Sequence, residues 1–214
     1  MLKYESPERT PENEEIIVAT WGKMVGGAVQ VVRDEHKSKL KELFKGDEGF
    51  TKFKSPINRT VLVHGDYRAS NLMFKEQDGN LDIIIVDYQM IHSASPVSDL
   101  LYFTFLGTDH KFRKKYYRNL MQYYHEELGS ALEAFGMDVE QEYPREMFEK
   151  ELKEMLPSAL QMAAIILPLV TVEEGAAPKV SGDADIQGMA LVPSQLFAQR
   201  FQALVQDCVD WGVL

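Results

Sequence analysis

Residues 61–87 read V-L-V-H-G-D-Y-R-A-S-N-L-M-F-K-E-Q-D-G-N-L-D-I-I-I-V-D. The second half is two apolar runs, Asn71–Lys75 and Leu81–Val86, separated by a polar turn. Asp78-Gly79 is a favoured dipeptide for a two-residue hairpin turn, because both positions then need positive φ. With those two residues as the turn, paired positions sum to 157. Asn71 then faces Val86, and Asp87 lies one step further along. The hairpin therefore brings Asn71 and Asp87 to the same end of the ribbon, where opposed Cβ atoms stand roughly 5 Å apart. Upstream, Thr60–Val63 is a short β-branched and apolar run that leads into the loop His64–Asn71. Asp87 closes a strand that reads as buried, a place where an unpaired carboxylate is costly and a cation would offset the cost.

The flanks read as helices. Ile17, Trp21, Met24, Val25, Ala28, Val29 and Val32 recur at spacings of three and four, one face of a helix beginning near Glu14. Residues 1–13, charged and with two prolines, read as disordered. Lys37–Phe44 is a second amphipathic piece, and 45–58 reads as a loop. Ser95-Pro96 starts a further helix with a cap and then proline. Helical patterns follow over 109–135, 144–172 with a break expected near Pro157, and 193–209; 173–187 reads as a loop. The layout expected is α+β, a small central hairpin wrapped by helices on both sides. Trp21 and Trp211 are expected in the core.

Composition narrows the function. The 214 residues suffice for one good-sized domain, and the charged and apolar fractions are those of an ordinary globular protein. A net charge of -10 argues against nucleic acid as a partner, since no basic surplus exists to release counterions. The densest basic stretch, Lys111–Arg118, reads as one solvated helix face. The single cysteine, Cys208, excludes an intramolecular disulfide. With a polar, acidic N-terminal stretch, it points to a cytoplasmic location. The most apolar run, 159–172, is too short to span a bilayer and reads as a core helix, so no membrane span is expected.

The loop carries the chemistry. H-x-D-x-x-x-x-N followed by an aspartate at a strand end is the spacing of a kinase catalytic loop and its metal-binding aspartate. Asp66 suits a group that orients or deprotonates an attacking hydroxyl, while Asn71 and Asp87 offer hard oxygens to Mg²⁺ and, through it, to ATP phosphates. His64 is expected to brace the loop backbone. Asp99 either caps its own helix through the dipole or reaches back to hold the loop. Arg68 reads equally as a phosphate contact or a solvated loop arginine.

V-L-V-H-G-D-Y-R-A-S-N-L-M-F-K at 61–75, I-I-V-D-Y-Q at 84–89 and S-P-V-S-D-L-L-Y-F at 95–103 together resemble the ecdysteroid kinase-like (choline-kinase-like) family, which is similar to the aminoglycoside and choline phosphotransferases. The resemblance implies the C-terminal lobe of a protein-kinase-like fold and ATP-dependent phosphorylation of a small-molecule alcohol. Asp66 would match the catalytic base, Asn71 and Asp87 the Mg²⁺ ligands, and Asp99 the aspartate that supports the loop. It also implies an N-terminal lobe with a phosphate-covering loop and a strand-borne lysine. No G-x-G-x-x-G occurs in the sequence, and the residues before His64 read as helices. Residues 14–214 are therefore read as a C-lobe alone, with weak or no activity by itself, since positioning and electrostatics dominate such catalysis. An apolar face left open where the other lobe would sit invites self-association. The alternative is a non-catalytic module that holds a small ligand or a protein. A metal-dependent hydrolase on Asp66 and Asp87 lacks the further ligands of a two-metal site.

Overall fold

The computed structural model describes residues 11–45, 53, 57–172 and 193–214. Two helices come first, α1 (Pro11–Gln30) and α2 (Asp34–Leu43). The expected disordered stretch thus ends earlier than read: Pro11, Glu12 and Asn13 are helical, with proline at the first position, where its missing N–H costs nothing. Residues 1–10 lie outside the described residues, as do the expected loop at 173–187 and most of 45–58.

The middle of the chain forms two nested ribbons. β1 (Val61–Val63) pairs antiparallel with β4 (His92–Ala94), and between them β2 (Leu72–Gln77) pairs antiparallel with β3 (Asn80–Ile85). The β2–β3 register runs from Leu72↔Ile85 to Gln77↔Asn80, so paired positions sum to 157 as the turn chemistry predicts. Asp78 and Gly79 have φ of 53° and 78°, the left-handed pair that this turn demands. β1 and β4 close the base, joining the start of the His64 loop to the segment that follows Asp87.

The helices after β4 build the core. They are α3 (Val97–Gly107), α4 (His110–Glu133), the short α5 (Val139–Glu142), α6 (Arg145–Val170) and α7 (Gln195–Asp210). α6 is the axis: it packs against α3, α1 and α7 and is buried on most sides from Phe148 to Pro168. It is also the described helix long and apolar enough to cross a membrane, yet most of its apolar window is covered by the protein itself. The break expected at Pro157 is absent, and one helix runs through both Pro157 and Pro168. Burial of Leu152, Met155, Leu156, Ala159 and Leu160 around that point outweighs the one lost backbone hydrogen bond.

Two polar clusters lock these helices. Glu151, fully buried on α6, accepts from the Ser95 hydroxyl at 2.6 Å and the Tyr143 hydroxyl at 2.5 Å. Burial and this carboxylate push the Tyr143 phenol well above its usual range, so it remains a donor. The Ser95 Oγ also accepts from the Val97 N–H, capping α3. Arg113 corrects the reading of 111–118 as one solvated face: it is buried, and its Nε donates to Asp207 of α7 at 2.6 Å. Trp211 stacks on Tyr117 with centroids 4.2 Å apart, against the core.

The mixed class is as expected, mainly helical with two small sheets, but the wrapped hairpin is not. β2 and β3 are exposed almost throughout, with Met73, Phe74, Leu81, Ile83 and Ile84 all more than half accessible. The helices satisfy their apolar faces against α6 and leave none for the ribbon. Phe148→Ala should therefore cost about 3–5 kcal/mol, whereas Ile84→Ala, at 63% exposure, should change stability by less than about 0.5 kcal/mol. Urea unfolding midpoints of the two variants check this contrast.

Candidate active site

The loop after β1 is held from beneath by Asp99, in the first turn of α3. Its Oδ2 accepts the His64 backbone N–H at 2.6 Å and its Oδ1 the Gly65 N–H at 3.0 Å. Of the two alternatives open in the sequence, the side chain therefore reaches back to the loop. Gly65 sits at φ +80°, and a Cβ there would lie 2.3 Å from the Met90 carbonyl oxygen. No other residue fits that close approach.

His64 is buried and fully spent. A carbonyl only accepts, so its Nε2–H donates to Val86 O at 2.9 Å, and its Nδ1 accepts the Asp66 N–H at 3.3 Å. The imidazole thus ties the loop to the end of the hairpin. Tyr88 leans on it at 5.0 Å between centroids.

Asp66 is the focus. Its Oδ1 accepts from the Tyr102 hydroxyl at 2.6 Å. Its Oδ2 accepts from Asn71 Nδ2 at 3.0 Å and from Arg68 Nε at 3.1 Å. A carboxylate has about four acceptor positions, so these three donors leave one, on Oδ1. Arg68, partly exposed, is also a partner of Asp66. Burial raises the Tyr102 phenol far above its ordinary range, and the hydrogen bond to Asp66 adds to this. Tyr102 therefore donates at any working pH. Sequence reasoning missed Tyr102, although its spacing from Asp99 puts both on one face of α3.

Asn71 is buried at the foot of β2, and its Nδ2 also donates to the Asp66 carbonyl at 2.9 Å. With the amide nitrogen committed, Oδ1 is the end left for a ligand, and it takes one long contact from Ser70 at 3.4 Å. The Asn71 carbonyl accepts the Val86 N–H at 3.0 Å, so Asp87 follows one residue after that pair, as the register count requires. Asp87 itself corrects an expectation. It is exposed, in a left-handed conformation (φ 68°, ψ 61°), with only a 3.5 Å contact from Gln89. The strand before it is open to solvent, so desolvation gives no reason for a cation there.

What remains is the donor set. Among the described residues no three His, Cys, Asp or Glu side chains gather as a metal cage. An amide oxygen and a solvated carboxylate at one ribbon end are instead the sparse, hard set that suits Mg²⁺, which keeps waters and takes further oxygens from phosphates. On that ground the residues fit a Mg²⁺–nucleotide.

Beside Asp66 lies a cavity of about 180 Å³. Phe53, Val63, Met90, Met162 and Ile166 form its apolar walls, and Asp66, His92, Ser98, Asp99 and Tyr102 its polar ones. No lysine or arginine among the described residues lines it.

The profile of the ecdysteroid kinase-like family matches residues 12–137, more than half of the chain and all of the loop, hairpin and α3. No curated protein and no solved structure matches the chain.

Gly65→Ala should displace the loop by driving a methyl into the Met90 carbonyl. Asp99→Ala should leave two backbone donors without partners, at about 1–3 kcal/mol each. Amide hydrogen exchange of His64 and Gly65 is the readout: both variants should lose protection there while α6 keeps its own. Unchanged protection in Asp99→Ala would show that the carboxylate does not hold the loop.

Proposed function

The chain belongs to the ecdysteroid kinase-like family, and we propose on that basis that it is the C-lobe side of a kinase-like phosphotransferase, moving a phosphoryl group from ATP to a small neutral alcohol. The observation that carries this reading is Asp66, with both carboxylate oxygens fixed by Tyr102, Asn71 and Arg68, beside an apolar cavity. Its one open acceptor position takes the alcohol O–H. The oxygen is thereby aimed, and its proton passes to Asp66 as the new O–P bond forms and the bond from the γ-phosphorus to the bridging oxygen breaks, with ADP as the leaving group. Family membership supports a kinase-like phosphotransferase; the acceptor is argued from the cavity alone.

Asn71 Oδ1 and the Asp87 carboxylate would hold the metal. Mg²⁺, when bound, neutralises charge that develops on the transferred group. The rest of the site is positional. Asp99 and His64 hold the loop, Asn71 braces Asp66 while presenting its amide oxygen outward, and the hairpin sets the Asn71–Asp87 spacing. Walls without lysine or arginine disfavour an anionic acceptor.

Calorimetric titration of Mg²⁺-ATP tests the nucleotide side. Binding should need both Mg²⁺ and Asp87, and Asp87→Ala should abolish the Mg²⁺-dependent heat. Binding that survives without Mg²⁺ would contradict the metal assignment. Asp66→Asn should lower phosphotransfer by about 10²–10⁴-fold while leaving Mg²⁺-ATP binding nearly unchanged. A non-catalytic binding module would hold its ligand without any Mg²⁺-dependent ATP heat.

A further inference from the structure

The cavity beside Asp66 can be audited group by group. The Ser98 hydroxyl donates to the Phe53 carbonyl at 3.1 Å. Each Asp99 oxygen accepts one loop N–H. The Tyr102 hydroxyl is on Asp66. The remaining polar side chain is His92, on β4 opposite Val63. Its Nδ1 lies 2.8 Å from the Met90 carbonyl oxygen, which can only accept, so Nδ1 carries the hydrogen and Nε2 bears a lone pair. Nε2 is buried and has no hydrogen-bond partner among the described residues. A Cβ on Gly65 would lie 2.9 Å from the ring, so the loop packs tightly on the imidazole.

We propose that His92 is a second recognition point of the acceptor cavity, its Nε2 accepting a hydrogen bond from a second donor on the substrate. The inference rests on the reading of Asp66 as the group that receives the alcohol. The cavity lining then offers acceptors, Asp66 Oδ1 and the unpartnered His92 Nε2 foremost, and among the described lining side chains no free donor and no cation. Its complement is an apolar scaffold with two O–H groups, or one O–H and one N–H. A mono-alcohol would leave Nε2 buried and unpaired, and a ligand with an acceptor at that place would set its lone pair against that of Nε2. The bias comes mainly from the cost of leaving a buried acceptor unsatisfied.

The test uses the full chain with cyclohexanol and the 1,2-, 1,3- and 1,4-cyclohexanediols, which scan the donor spacing on one small ring. We expect at least one diol to bind about tenfold tighter than cyclohexanol, the gain of one hydrogen bond to a buried group. The same diol should move the His92 Nε2 resonance in long-range ¹H–¹⁵N spectra. In His92→Phe the advantage should vanish, and in His92→Gln, which keeps an acceptor, part of it should return. The wild-type resonance decides the matter even where a variant fails to fold. Diols that bind no better than cyclohexanol, an unmoved Nε2 signal, no binding by any probe, or an advantage that persists in folded His92→Phe each overturn the proposal. The two readings separate cleanly. A diol that binds through His92 in a chain that shows no Mg²⁺-dependent ATP binding sinks the phosphotransfer reading alone. Transfer without diol preference sinks this inference alone.

Discussion

Everything at the site hangs on one carboxylate that does no chemistry. Asp99 accepts two successive backbone N–H groups, His64 and Gly65, from the helix that begins after β4. Charge-assisted bonds of this kind are the strong ones, and here they join a loop to a helix across a gap of some thirty residues in sequence. The Gly65 conformation, the His64 imidazole and the Asp66 carboxylate all follow from where that pair of N–H groups is held. Asp99 is itself placed by α3, which Ser95 ties to the buried Glu151 of α6. The chain of causes runs from the packed helical axis to α3, then to the loop, then to the reactive oxygen.

The hairpin obeys a different economy. The helices bury their apolar faces against α6, and the ribbon finds no cover, so its isoleucines and phenylalanine stand in solvent. Its geometry is fixed from within by a two-residue turn and one continuous ladder, and from below by the β1–β4 pair. The ribbon is thus a rigid offset that holds Asn71 near buried structure and Asp87 at the surface. A buried amide and a solvated carboxylate at one ribbon end fit the proposal of a shared cation at the boundary between protein and ligand.

This division explains what the sequence discloses and what it hides. The 157 register is legible because it depends only on Asp78-Gly79 and a count. The loop residues His64, Asp66 and Asn71 are legible because they lie within one short stretch. The exposure of Asp87 is hidden, since a run of isoleucines looks the same whether a layer covers it or not. Pro157 misleads because propensity is local, while the burial that overrides it comes from α1, α3 and α7. Arg113 looks like part of a basic surface until Asp207, distant in sequence, is placed beside it. Tyr102 and His92 are hidden for a related reason. Each gains its role only when α3 and β4 come to rest against the loop.

The contacts around Asp66 bear on what kind of catalysis the site can support. Two donors grip Oδ2 and one grips Oδ1, so the plane of the carboxylate is fixed before any substrate arrives. Such a group offers an incoming hydroxyl a fixed direction. It suits phosphoryl transfer, whose loose transition state makes little demand on the nucleophile until late and leaves positioning as the main task. The same fixation narrows the approach. On the proposed reading, a hydroxyl would come along the one open lone pair of Oδ1, past the Tyr102 oxygen and between the apolar walls of the cavity. Selectivity and orientation then arise from the same few contacts, and none of them requires the loop to move.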